Sequence, residues 1–262
     1  MIDKIFKTRL PVIGYVQLAE LTIDNLKPAT AKGILDAMRL EYGGIDGIVI
    51  ENYAEPEISA LAGHESKKYM ENICLRINEV INKNTPIGIN VLPADLVASI
   101  ELANRYNLDF VHAETYADSA KSRETGNLIQ VDLDHVSQFR KRLSQYIPII
   151  ATIKPWHVYD VCGDEDIEKS ALRSVEYGAN ALIIVGKDGS PPEVNDIKKV
   201  KSSVQVPVGA GSGINDKTIE DYLGVADFFL VSGFFKHDGI KSNPVDEERV
   251  KQLMKVIHRL RR

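Results

Sequence analysis

Residues that could do chemistry recur at one kind of place in this chain: directly after short apolar runs. They are Gln17; Glu51 and Asn52; Asn90; His112 and Glu114; Lys154; Gly186 and Lys187; Gly209 to Gly213; and Ser232, Gly233 and Lys236. A carboxylate such as Glu51 could act as a general base or ligate a divalent metal. Lys154, which ends "IIATIK", could form a Schiff base, steer an anionic substrate or exchange a proton. Glu51 and Lys154 are the candidate catalytic pair. Gln17, Asn52, Asn90, Glu114 and His157 are the candidate substrate contacts, and His157 is also a candidate acid/base. Plain structural roles stand beside these: an ion pair of Lys154 with Glu114 or Glu51, or a turn capped by Asn90. His112 lies inside an apolar run and reads as a core histidine rather than a ligand.

A second signal is the loss of side chains in "VPVGAGSGIND", residues 206–216, just before the helix-like "KTIEDYL". Small residues let backbone N–H groups approach an anion, and a helix N-terminus favours its charge. Gly211, Ser212 and Gly213, with Ser232 and Gly233 of "VSGFFK" and Gly186 of "VGKDG", are the candidate phosphate-binding set. The alternative is that these glycines only make tight turns. A dinucleotide fingerprint fits poorly, because the spacing is G-x-G-x-G and no acidic partner follows at a strand end. No HxH, HExxH or Asp-rich signature is present, so no transition-metal site is expected. The one cofactor left open is Mg2+ bridging a carboxylate and a substrate phosphate.

The elements that must carry these residues are legible. Strands are expected at Val12–Val16, Gly47–Ile50, Ile87–Val91, Phe110–Ala113, Ile149–Ile153, Ala181–Val185, Val206–Gly209 and Phe228–Val231. They are continuous Val- and Ile-rich runs, as in strands buried on both faces of a parallel sheet. Helix spacing fills the intervals: "ADLVASIELANRYN" puts Leu96, Ile100 and Ala103 on one face. Eight such units in 262 residues predict a single (β/α)8 TIM barrel spanning residues 1–262, with a doubly wound open sheet as the competitor. Function in a barrel collects where strands end, and loops after strands seven and eight often hold a phosphate. The net charge of −5 gives no reason to expect nucleic acid or an anionic membrane as partner, and no apolar run is long enough to span one. Cys74 and Cys162 form no CxxC pair, and the N-terminus lacks a signal-peptide pattern, so the expected setting is cytoplasmic.

Taken together, the strand ends resemble the BtpA/SgcQ family. "VIGYVQLAEL", "GGIDGIVIENYAEP" and "GINVLPAD" are similar to the family's openings of its first three units. The closing "ADFFLVSGFFKHDGIKSNPVDEERV" matches most specifically, at Lys236, Asp238, Gly239, Asn243, Pro244, Val245, Asp246 and Arg249. The resemblance implies a barrel of the ribulose-phosphate-binding type with a phosphate site. It implies no single reaction: one member is named for photosystem I biogenesis, and others are labelled as relatives of phosphoribosylanthranilate isomerase or sit among sugar-uptake and nucleoside genes. The chain departs from the pattern at Gln17, at Pro93-Ala94, at Arg123 to Gly126 and at Lys154 to Trp156. Those loops face the reacting end of a substrate. The expectation is an enzyme acting on a sugar phosphate or nucleotide, as isomerase, lyase or hydrolase, with a retained phosphate grip. The alternative is a non-catalytic assembly factor or ligand sensor. Barrels of this type often self-associate, so a homo-oligomer is expected.

Overall fold

The computed structural model describes residues 2–19, 21–52, 64–163 and 165–262, with the side chain of His64 outside the description. Eight parallel strands close a barrel, each paired with its chain neighbours and the last with the first. Numbered along the chain, the barrel strands are Val12–Leu18, Gly47–Asn52, Ile87–Asn90, Phe110–Ala113, Ile149–Ile153, Ala181–Val185, Val208–Gly211 and Phe229–Val231. The open-sheet alternative is thereby excluded.

Alternation decides what faces where. Ile13 and Tyr15, Val49, Phe110, Ile150, Ile183 and Val185, and Leu230 fill the barrel interior, and Ile2 and Phe6 close the end where the strands begin. Their neighbours Val12, Val16, Leu18, Ile48 and Ile50 pack outward on the helices. Each such side chain contributes about 1.5–3 kcal/mol when fully buried. The outer layer is made by the helices Leu26–Tyr42, His64–Val80, Leu96–Tyr106, Leu133–Arg140, Ile167–Glu176, Val194–Ser203 and Glu247–Leu260. Asp95 begins the third of these by accepting the Ala98 N–H at 3.0 Å, a side-chain cap.

Several features differ from expectation, among them strands one and two, which run two residues further, to Leu18 and Asn52, and so include Gln17 and Glu51. Strand seven runs to Gly211 instead of Gly209 and starts at Val208, because Pro207 has no N–H to donate to the ladder. "KTIEDYL" forms only a short 3-10 turn, Ile219–Tyr222, after Asn215 Oδ1 accepts the N–H groups of Lys217 and Thr218. The loops after strands four and five build a small antiparallel sheet of 120–122, 128–129 and 159–161. Arg123 to Gly126 makes the turn of its hairpin, with Gly126 at φ 71°.

Candidate functional site

The strand ends open into a cavity of about 860 Å3, within the usual size range of small-molecule sites. Register fixes its floor. Gln17 pairs with Glu51 and Glu51 with Asn90 across strands one, two and three, so the three side chains stand in one row. Gln17 Nε2 donates to Glu51 Oε2 at 2.9 Å, and Asn90 Nδ2 donates to Glu51 Oε1 at 3.3 Å. Ser232 Oγ, at the end of strand eight, donates to Gln17 Oε1 at 2.8 Å. A hydrogen-bonded chain therefore runs from the loop after strand eight to Glu51.

Glu114 enters from strand four, only 6% exposed. His157 Nε2 stands 3.0 Å from its Oε1, and His112 Nε2 stands 3.7 Å from its Oε2. Burial and the neighbouring Glu114 charge push the Glu51 carboxyl above the usual range. Burial would raise Glu114 as well, but His157, His112 and Lys241 together outweigh it and hold that carboxyl low. Two carboxylates driven apart in proton affinity are suited to different roles in one site. His112 is buried beside Tyr15 Oη, 3.2 Å from its Nδ1, and Thr152 Oγ1, 3.0 Å from its Nε2. Burial pushes its imidazole down to about 4, so the ring is neutral.

Lys154 is the main departure from the sequence expectation. It is the next residue after Ile150 and Thr152 on the inward-facing alternation. Its backbone, however, is left-handed, with φ 49°, and this breaks the strand and turns the side chain away. Its N–H donates to Asp118 Oδ2 at 2.9 Å, and its Nζ lies 3.6 Å from Asp118 Oδ1. Asp118 is also held by Ser170 and Arg173 of the helix Ile167–Glu176. Lys154 is 2% exposed and does not line the cavity. Its partner is Asp118, neither Glu51 nor Glu114, so its amine does not face the cavity where an imine would have to form.

The glycine-rich loops are only partly as expected. Gly211, Ser212, Gly213, Ser232 and Gly233 line the cavity; Gly186 does not. The Gly186 N–H donates to Ser212 Oγ at 3.0 Å, and that hydroxyl donates to Ser190 O at 2.7 Å. These groups tie the loops after strands six and seven to each other. Gly211 ends strand seven, where a Cβ would meet Ile183 Cγ2 at 2.9 Å, and a Cβ on Gly213 would lie 2.3 Å from Pro191 N. Close backbone packing thus accounts for part of the glycine run. The N–H groups of Gly213, Ile214, Gly233 and Phe234 make no hydrogen bond within the described residues and belong to residues that line the cavity.

Asn52 also lines the cavity, from the end of strand two. The segment 53–63 that follows it, including part of the "ENYAEP" motif, lies outside the described residues. Sequence reasoning missed Tyr15, Thr152 and Lys241 as cavity residues. The alternation that puts Gln17 inside does the same for Tyr15, so that one was readable; Lys241 carried no signal beyond its place in the closing motif. Lys236 sits behind the barrel, fully buried, with Nζ 3.1 Å from Tyr15 O and 3.6 Å from Asp36 Oδ2.

Known proteins bear on this arrangement. The BtpA family model matches residues 8–259. An uncharacterized protein of Pyrococcus abyssi is 30% identical over 96% of this chain and 97% of its own. The photosystem I biogenesis protein BtpA of Synechocystis is 26% identical over 94% of this chain and 87% of its own. Among solved structures, geranylgeranylglyceryl phosphate synthase of Thermoplasma acidophilum, in complex with sn-glycerol-1-phosphate, superposes with a TM-score of 0.61 at 12% identity, covering 97% and 96% of the two chains. Phosphoribosyl anthranilate isomerase of Thermotoga maritima gives 0.60 at 13%, covering 95% and 98%. At such identities the structural likeness speaks for the barrel, while the match along nearly the whole sequence settles kinship: the chain belongs to the BtpA family.

Proposed function

We propose that this barrel is an enzyme acting on a phosphorylated small molecule, a sugar phosphate or nucleotide. The phosphate end is held by Gly211, Ser212, Gly213, Ser232 and Gly233, through the N–H groups of the loops after strands seven and eight. The reacting end meets Glu51, Glu114 and His157. Asn52, Asn90 and Gln17 orient it. One observation carries the reading: the Ser232–Gln17–Glu51 hydrogen-bonded chain joins the anion-suited loops to the carboxylates within one cavity. The structural neighbour crystallised with sn-glycerol-1-phosphate on the same fold is consistent with it.

Glu51, with its raised proton affinity, gives or takes a proton at the reacting end. Glu114 stays ionised and orients His157. With Lys154 turned to Asp118, enolisation and hydrolysis fit the residues better than imine-forming cleavage. Mg2+ bridging the phosphate to a carboxylate is compatible with this set.

The test is thermal stability with inorganic phosphate, ribose 5-phosphate, other sugar phosphates and nucleotides, in EDTA and again with Mg2+. A ligand at 100 times its Kd adds about 2.7 kcal/mol, a readable rise in Tm. Gly233 suits the control, since a Cβ there meets only Gly239 O at 3.3 Å. Gly233→Ala should keep the shift and Gly233→Asp should abolish it. If no phosphate ester shifts Tm beyond a neutral sugar, the phosphate reading fails and the assembly-factor alternative replaces it. An ester that binds but is not turned over points to a ligand sensor.

A further inference from the structure

Glu51 ends strand two, and His112 and Glu114, two positions apart, lie on strand four and just beyond it. The barrel brings one ligand atom of each within 4.8 Å of the others. The absence of a short metal motif in the sequence does not bear on a cluster of this kind. Glu51 joins the His112 and Glu114 pair from another strand, and short spacing patterns cannot see that.

We infer that Glu51, His112 and Glu114 bind a divalent first-row transition ion, such as Mn2+ or Zn2+, where Glu51 and Glu114 line the cavity and His112 is buried beside them. One imidazole and two carboxylates are a donor set that suits such ions. A second observation points the same way. Glu114 is buried, with His157 Nε2 3.0 Å from its Oε1, while its Oε2, 3.7 Å from His112 Nε2, accepts no hydrogen bond among the described residues. The oxygen that faces the cluster thus keeps acceptor capacity to spare.

The surroundings are arranged as a supporting shell. Tyr15 Oη stands against His112 Nδ1. With that nitrogen as the donor, Nε2 carries the lone pair, 3.0 Å from the Thr152 hydroxyl, which an ion would have to displace, and 3.7 Å from Glu114 Oε2. His157 stands on Glu114 Oε1 and leaves Oε2 for the ion. Gln17 and Asn90 each donate to one Glu51 oxygen, which fixes the carboxylate's orientation while each oxygen keeps a lone pair. Outer partners of this kind orient metal ligands. A bound ion would supply, as a Lewis acid, the polarisation otherwise supplied by the Glu51 proton. That role rests on the proposed function; the binding itself does not.

The experiment is a titration of the purified chain with Mn2+, and separately with Co2+, in phosphate-free buffer. Free Mn2+ is read by EPR, nitrogen coupling by pulsed EPR, and Co2+ coordination by visible absorption. The expected result is about one ion per chain at sub-millimolar affinity, with coupling to one imidazole nitrogen. His112→Gln and Glu114→Gln should lose binding. His157→Asn should weaken it by about 10- to 100-fold, as supporting partners do. Glu124→Gln, a cavity-lining carboxylate outside the cluster, should bind as wild type. Circular dichroism shows which variants fold, and the nitrogen coupling is read on wild type whether or not they do. No binding, or a bound ion with no nitrogen coupling, overturns the proposal. Ester binding in EDTA without Mn2+ binding leaves the proposed function standing and this site refuted; the reverse refutes only the phosphate reading.

Discussion

Glu51 and Gly213 are the two residues where the site's chemistry and the fold's demands can be separated by single substitutions. Glu51 is partly buried against another carboxylate. Glu51→Gln removes a charge that folding disfavours and keeps an acceptor for Gln17. We expect Tm to hold or rise while turnover of the phosphate ester falls about 100- to 10,000-fold, the range for lost general acid–base catalysis. A loss of stability in parallel with activity would mean that Glu51 is a structural anchor. Gly213 has φ 56° and no room for a Cβ, whereas Gly189 has φ 79° and nothing within 4 Å of a Cβ. Gly189→Ala should cost about 1 kcal/mol, the left-handed penalty alone. Gly213→Ala should cost at least about 2 kcal/mol, because backbone atoms of Pro191 must also move. Urea midpoints of the two variants decide this, and equal costs would remove the packing explanation for the glycine run. The sequence showed that this stretch had lost its side chains. It could not show that half the reason was the neighbouring loop, since Ser190 and Pro191 are more than 20 residues away along the chain.

At the level of elements, the strands were readable because burial on both faces makes them continuous apolar runs, and their order followed from the repeat. What escaped was decided by backbone geometry at the ends. Lys154 fitted the inward alternation until one left-handed residue turned it out. The hairpin at 120–129 has too few residues to show a period. Lys236 was legible as a strand-end lysine, but its partner Asp36 lies on the helix Leu26–Tyr42, a pairing that sequence alone does not give. This buried pair ties the loop after strand eight to the first outer helix, where Asp36 Oδ1 also accepts the Val245 N–H at 2.8 Å. Removing one partner of a buried ion pair costs about 3–5 kcal/mol; Asp36→Asn should lower stability by that order. The pair also sets a pH dependence. Burial pulls Lys236 down from 10.5 to about 8, against the opposing pull of Asp36. Between about pH 8 and 10.5 the unfolded chain keeps a proton that the folded chain has released. Stability contributed by this group therefore rises with pH across that window, by up to about 1.4 kcal/mol per unit. Urea unfolding at pH 7.5 and 9.5 should show this increment in wild type and lack it in Lys236→Met. The same pH slope in both would place the titration elsewhere.

For the whole molecule, the question is how the cavity is covered. The small antiparallel sheet brings Ser122, Arg123 and Glu124 over the strand ends, where they join the cavity lining. Arg123 fastens it. Its guanidinium donates to Asp160 Oδ1 at 3.2 Å, to Asp188 Oδ1 at 2.8 Å and to Trp156 O at 2.7 Å. One side chain thus links the loops after strands four, five and six. Arg123 and both aspartates are well exposed, so each pair contributes only about 0–1 kcal/mol. The closed barrel below is held by its apolar layers and does not need them. Arg123→Ala should therefore leave the urea midpoint nearly unchanged and release the cover alone. Amide exchange should quicken across residues 120–129 and 159–161 and stay unchanged in the barrel strands, since local opening draws on local contacts. A phosphate ester bound beneath should slow exchange of the same segments in wild type and should dissociate faster from the variant, because covering segments gate exit from such sites. If the barrel strands also exchange faster, Arg123 supports the fold itself; if 120–129 is indifferent to the substitution, the sheet's backbone pairing suffices and the latch has no part in holding the ligand.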